Sequence, residues 1–189
     1  MLSGKITLVS SNLNKVRDLS ELLDVKLDHA NIELVEVQDL DVAEVVKEKA
    51  LAAYKILKKP VLVDDAGLTF NAWGKLPGAL IKYFIHSVGV AGIIKMLDGF
   101  DDKTGYMSAA LGYADENGVK IYVGKVDGKI SSTVKGDAGW GYDVIFIPDG
   151  EKETCSEIKM RNPAKYWYYS ARKRATDKMK QALQKEVKL

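Results

Sequence analysis

Three short stretches of the chain gather side chains with chemistry to offer. Ser10, Ser11, Asn12 and Lys15 fall between an apolar run and an amphipathic segment. The free amides of a helix start carry partial positive charge, hydroxyl and amide side chains add donors, and Lys15 adds a point charge, a combination that suits phosphate. Ser and Asn are also favoured N-caps, so capping alone accounts for the same residues. No Gly-Lys pair is followed by Ser or Thr, so the stretch is not a Walker A loop. Asp64 and Asp65 close the apolar run 61–63, and the C-terminal edge of a buried strand is where α/β proteins place ligands. Side chains alternate faces, so one carboxylate serves a ligand while its neighbour is structural; a solvated Asp-Asp-Ala-Gly turn is the alternative. One Asp with one distant carboxylate, such as Glu36, suits Mg²⁺, which takes one or two carboxylates and leaves its other positions to water and substrate phosphates.

The third stretch is the Gly-rich segment 135–143, with Trp140, Gly141, Tyr142 and Asp143 at its end. Its glycines allow close backbone approach, its aromatics offer stacking faces for a base, and Asp143 suits ring N–H donors. A loop whose aromatics cap the core is the competing account. Further on, residues 166–174 interleave Tyr166, Trp167, Tyr168 and Tyr169 with Arg172, Lys173 and Arg174. Such a stretch stacks bases and neutralises phosphates, or packs its rings inward and solvates its charges. Lys49 sits among small and apolar neighbours on a helical pattern, and the pattern by itself assigns it no function beyond reaching water.

The elements that must hold these residues follow from periodicity. A short buried strand over residues 6–9 leads into a helix with Val16, Leu19, Leu22 and Leu23 on one face. Residues 32–37 alternate as a half-buried strand. Val42, Val45, Val46, Ala50, Ala53, Tyr54 and Leu57 mark a long helix closed by Lys58-Lys59-Pro60. A short strand spans 61–63, two shorter helices span 81–87 and 91–97, and strands over 106–114 and 120–126 flank Asp115-Glu116-Asn117-Gly118 as a hairpin. A strand over 144–147 and a last helix from about Ser170 complete a mixed α/β sheet with a strand-rich second lobe. At 189 residues and 47% hydrophobic, the chain can bury the core of one domain. A net charge of +2 argues against a general polyanion binder. One cysteine and two distant histidines exclude an internal disulfide and a Cys/His zinc site. The apolar run ending at Val9 is too short for a signal peptide and no run is long enough to span a membrane, so the expectation is a cytoplasmic protein.

Each signal is weak alone, but their order resembles the inosine triphosphate pyrophosphatase family over residues 6–175. Ser10, Asn12 and Lys15 are similar to its Thr/Ser-x-Asn-x-x-Lys motif, and Glu36 and Lys49 to its following acidic residue and helix lysine. Asp64-Asp65-Ala66-Gly67-Leu68 is similar to its Glu-Asp-Thr/Ser-Gly-Leu, Leu76-Pro77-Gly78 with Lys82 to its Leu-Pro-Gly segment, and Trp140 to Asp143 to its Phe-Gly-Tyr/Trp-Asp. Lys165, Ser170 and Arg172 resemble the end of its site. Ala171 stands where the family has histidine, Ala66 where it has a hydroxyl and Val144 where it commonly has proline.

The resemblance implies a single domain over 1–189, with two lobes around a mixed β-sheet flanked by helices and a nucleotide cleft between the lobes. It implies Mg²⁺-dependent hydrolysis of ITP, dITP and XTP to the monophosphate and pyrophosphate, by in-line attack of water at the α-phosphorus. Asp65 would bind the metal and accept the water's proton, with Glu36 as second ligand. Ser10, Ser11, Asn12, Lys15, Lys49 and Lys82 would take the triphosphate, Lys49 acting in catalysis too. Trp140, Gly141, Tyr142, Asp143, Lys165, Ser170 and Arg172 would take the base. A homodimer is implied as well. Two rivals stand beside this expectation: a nucleotide sensor without turnover, and a single-stranded nucleic-acid binder using the basic aromatic segment, which the acidic balance of residues 1–150 disfavours.

Overall fold

A computed structural model describes residues 6–186. The first strand, β1 (Thr7–Val9), is buried along its length. It pairs in parallel with β2 (Asp28–Ala30) on one side and β3 (Val61–Phe70) on the other. Parallel neighbours need crossovers, which α1 (Leu13–Leu23) and α2 (Val42–Leu57) supply. The sheet has seven strands in the order β2-β1-β3-β5-β6-β7, with β5 (Thr104–Asp115), β6 (Gly118–Ile130) and β7 (Phe146–Pro148). The short β4 (Pro77–Gly78) pairs antiparallel with β3. The remaining helices are α3 (Ile81–Leu97), α4 (Cys155–Arg161), α5 (Pro163–Tyr166) and α6 (Ala171–Glu186).

The described residues divide into two compact units, residues 6–66 with 109–124 and 172–186, and residues 67–108 with 125–171. In the first unit Ile6, Leu8, Leu19, Leu23, Leu27, Leu62, Leu111, Ala175 and Met179 form one buried cluster. Leu19 and Leu23 are one turn apart on α1, as Ala175 and Met179 are on α6, so each helix offers one apolar stripe to the sheet. Gly112 on β5 lets α2 come close: a Cβ there would lie 2.6 Å from Val46 Cγ1 and 3.1 Å from Val63 Cγ2. Lys49 lies one turn beyond Val46, so this approach helps set where Lys49 emerges. In the second unit Phe70, Ile93, Leu97, Ile145, Phe146 and Ile158 are fully buried. The Trp73 ring stands edge-on to Phe70 at 4.7 Å.

The long helix keeps the bounds that its apolar period and Lys58-Lys59-Pro60 predict. Two of the expected elements differ most. Residues 32–37 form no strand, because β1 ends at Val9 opposite Ala30 and offers no partner beyond it. The strand expected over 61–63 runs on to Phe70, so Asp64 and Asp65 lie inside it rather than at its end. The two helices expected between 81 and 97 are both present and meet in a kink at Gly89, whose φ of 68° and ψ of 169° are not helical.

Replacing Gly112 by Val is expected to destabilise the protein by about 1–3 kcal/mol through overpacking against α2. Urea unfolding measures this, and adding Val46→Ala should recover part of the loss.

Candidate functional site

In the first unit, β1 hands over to α1 through Ser10, Ser11 and Asn12. The Ser10 N–H donates to Ala30 O at 3.1 Å, and Ser10 O lies 2.6 Å from His29 Nε2. Ser10 Oγ accepts from the Asn12 amide at 3.1 Å, and Asn12 Oδ1 accepts from the Asn14 amide at 3.0 Å. Asn12 is thus an N-cap in fact, with extended φ and ψ. Ser11 is exposed. Lys15, in the first turn, points back to β3: its Nζ is 2.7 Å from Asp64 Oδ1 and 3.2 Å from Asp64 O.

Asp64 is 3% exposed and holds a second cation. Arg172 at the start of α6 donates from Nε to Oδ2 at 2.8 Å and from Nη2 to Oδ1 at 3.3 Å. Burial alone would raise the Asp64 pKa, but Arg172 and Lys15 outweigh it and hold the carboxyl well below the usual carboxylate range. Asp65, on the opposite face of the strand, is half-buried, and its Oδ1 accepts from the Ala66 amide at 2.9 Å. Its pKa is raised, first by burial and also by the Asp64 charge, against the opposing pull of Lys15, the Ala66 amide and Lys49. Lys49 Nζ forms an ion pair with Glu36, which lies in the extended stretch after β2. Asp65 therefore sits in the field of both lysines, and Glu36 is tied to one of them.

In the second unit the segment 135–143 forms a loop around a buried carboxylate. Asp143 Oδ2 accepts from the Trp140 amide at 2.7 Å and from the Tyr166 hydroxyl at 2.8 Å. The Asp143 amide donates back to Trp140 O at 2.7 Å, and Asp143 O accepts from the Ser156 amide at 3.0 Å. Gly139, at φ +95°, is required here, since a Cβ would lie 2.2 Å from Asp143 Oδ2. The Trp140 and Tyr142 rings are half-buried and Gly141 is exposed. Lys165 Nζ lies 2.6 Å from Glu151, which also accepts from the Tyr169 hydroxyl. These two bonds hold the Glu151 carboxyl below its ordinary range. Ser170 and Ala171 are buried, and Lys82 is exposed in the first turn of α3.

The structure thus gathers Lys15, Asp64, Asp65, Lys49 and Glu36 in the first unit, with Arg172 turned onto Asp64. Asp143 lies beneath its loop, where the loop's own amide and Tyr166 reach it. The basic aromatic segment is largely spoken for: Tyr166, Tyr169, Lys165 and Arg172 pair with Asp143, Glu151 or Asp64, and Lys173 pairs with Asp177 at 2.6 Å. Tyr168 remains 75% exposed. Among the described residues no group of three or more His, Cys, Asp or Glu side chains could hold a metal ion. Asp65 and Glu36, the carboxylates in contact with or in the field of Lys49, are the oxygen donors that a hard cation shared with substrate phosphates would use. No helix among the described residues is long and apolar enough to cross a membrane.

Glu151 and Tyr166 were not legible as site-building residues, because their partners lie far along the chain. The helix α4 did leave a signal: Thr154 and Glu157 form a capping box just before Ile158. Its Cys155 is buried, and burial, then Asp143, pushes the thiol pKa far up.

Residues 6–182 match the Ham1 family. A dITP/XTP pyrophosphatase of Saccharolobus solfataricus is 35% identical over 165 residues, 86% of each chain. Inosine triphosphate pyrophosphatase 1 of Trypanosoma cruzi is 39% identical over 159 residues, 82% of this chain and 81% of its own. A HAM1 protein from Coxiella burnetii, of known structure, shares the fold with a TM-score of 0.84, covering 96% of this chain and 98% of that one at 24% identity.

Asp64→Asn is expected to cost about 3–5 kcal/mol at neutral pH, because Arg172 is left buried without its counter-charge. The folded-state pKa of Asp64 lies below its unfolded value, so its contribution is complete above about pH 4 and drains as pH falls further. Urea unfolding of both proteins should therefore show the gap widest near pH 6 and narrowing as acid is added. A gap that widens in acid would contradict the sign.

Proposed function

The chain belongs to the Ham1 family, and from that premise we propose that it hydrolyses the deaminated purine nucleotides ITP, dITP and XTP to the monophosphate and pyrophosphate. Its curated relatives are named pyrophosphatases of these nucleotides, and the chain is a hydrolase of that kind. The observation that carries the chemistry is Asp65: a half-buried carboxylate on strand β3, in the field of Lys15 and Lys49, with its pKa raised by burial. A carboxylate so placed is a better proton acceptor than an exposed one.

The division of labour follows from charge. Lys15, at the positive end of the α1 dipole, takes phosphate oxygens, and Lys49 adds a second positive charge near Asp65. Asp65 orients a water in line with the α-phosphorus and receives its proton as the bond to the leaving pyrophosphate breaks. Asp65 and Glu36 would hold Mg²⁺, which supplies Lewis-acid stabilisation of charge on the phosphate oxygens when bound. Lysine ammonium groups stabilise the charge that develops on pyrophosphate. Trp140 and Tyr142 offer half-buried rings to the purine, and the Asp143 network keeps their loop in one shape.

The test is a product assay on the purified protein with ITP, XTP, dITP, ATP and GTP, with and without Mg²⁺, in which pyrophosphate and orthophosphate are quantified separately. Pyrophosphate from the first three, with ATP and GTP spared, is the expected result. Tight nucleotide binding without any product would make the protein a sensor instead. Asp65→Asn should lower kcat by about a hundredfold or more with an unchanged circular dichroism spectrum. Near-normal turnover in that variant would remove Asp65 from the role of base.

A further inference from the structure

An ammonium group has three N–H donors. Two of those on Lys15 are engaged by a single residue, Asp64, through Oδ1 at 2.7 Å and the backbone oxygen at 3.2 Å. No described residue takes the third, and the Lys15 side chain keeps 17% of its surface exposed. A lysine in a simple pair with a carboxylate has little net charge left for an anion. Here the carboxylate is shared, because Arg172 bonds both of its oxygens from a position only 5% exposed. Of the two cations on Asp64, Arg172 is the one shut away from water and Lys15 the one that still reaches it.

We propose that Asp64 is a positioning residue for Lys15: balanced by Arg172, it holds two ammonium donors and aims the third at the phosphate chain. Lysine has many rotamers, and one fixed before binding loses less freedom when the anion arrives. Asp64 needs no contact with substrate to do this, and Arg172 serves as its counter-ion. The inference rests on the phosphate role proposed for Lys15 and goes beyond it.

The probe is inorganic tripolyphosphate, measured by titration calorimetry on wild type, Lys15→Ala, Asp64→Asn, and Asp64→Asn combined with Lys15→Ala. A further variant, Asp64→Asn with Arg172→Met, removes the whole buried charge pair, which proteins often tolerate, and so covers the case in which Asp64→Asn alone fails to fold. Either single substitution should weaken tripolyphosphate by about tenfold, and the Asp64/Lys15 combination should be no weaker than Lys15→Ala alone. With nucleotide, Asp64→Asn should raise KM while kcat stays within about twofold, a split that partial unfolding would not produce. If Lys15→Ala weakens binding but the folded charge-free pair binds like wild type, Asp64 is a structural brace and the proposal falls. If Lys15→Ala itself binds normally, the phosphate role of Lys15 fails first and this proposal with it.

Discussion

A carboxylate moved out of water loses several kcal/mol of hydration unless charge and hydrogen bonds replace it. Asp64 meets that demand with Lys15 from α1 and Arg172 from α6, so three elements of the first unit converge on one strand position. Much else follows from that convergence. It fixes the first turn of α6 against β3 and orients Lys15, and it keeps Asp65 on the other face of the strand, in the field of Lys15 and Lys49. Asp64 and Asp65 are adjacent in sequence yet opposite in character, one ionised well below the ordinary range and one resisting ionisation. The difference is the company each keeps: direct cation contacts for Asp64, and burial beside the Asp64 charge for Asp65.

The second unit repeats the principle with a different carboxylate. Asp143 is 2% exposed, and its Oδ2 is shared by a backbone amide three residues back and a hydroxyl from α5. The loop it organises carries Trp140 and Tyr142, so two aromatic positions depend on one carboxylate. Gly139 belongs to the same device, because only a residue without a Cβ lets the chain pass so close to the carboxylate. In each unit the ring or ammonium group that faces outward is held by an acid that faces inward.

What could be read beforehand follows the range of the forces involved. The helix 42–57 was legible because its stripe of Val and Ala recurs every three or four residues and Lys58-Lys59-Pro60 closes it. The hairpin was legible in Asp115-Glu116-Asn117-Gly118, where the Asn117 amide closes on Asp115 at 2.8 Å. Residues 32–37 misled because their alternation is real, but a strand also needs a neighbour, and β1 had already ended. The length of β3 was hidden by its own Asp-Asp pair, which reads as a turn locally and is carried through by neighbouring strands and, at Asp64, by two cations.

Residue type and spacing alone were enough for the order of the motifs, the bounds of the main helix, the strand-turn-helix setting of Ser10 to Lys15, and the carboxylate pair at 64 and 65. These are properties of residue type and short spacing, which local sterics and periodicity already constrain. Folding was needed to select which of the two carboxylates is bound by cations, to turn Arg172 onto Asp64 from 108 residues away, and to set Asp143 beneath its loop. Those outcomes depend on desolvation and on charges brought together by folding. A buried ion chooses its partner by proximity in space, and nothing in the local sequence records that distance.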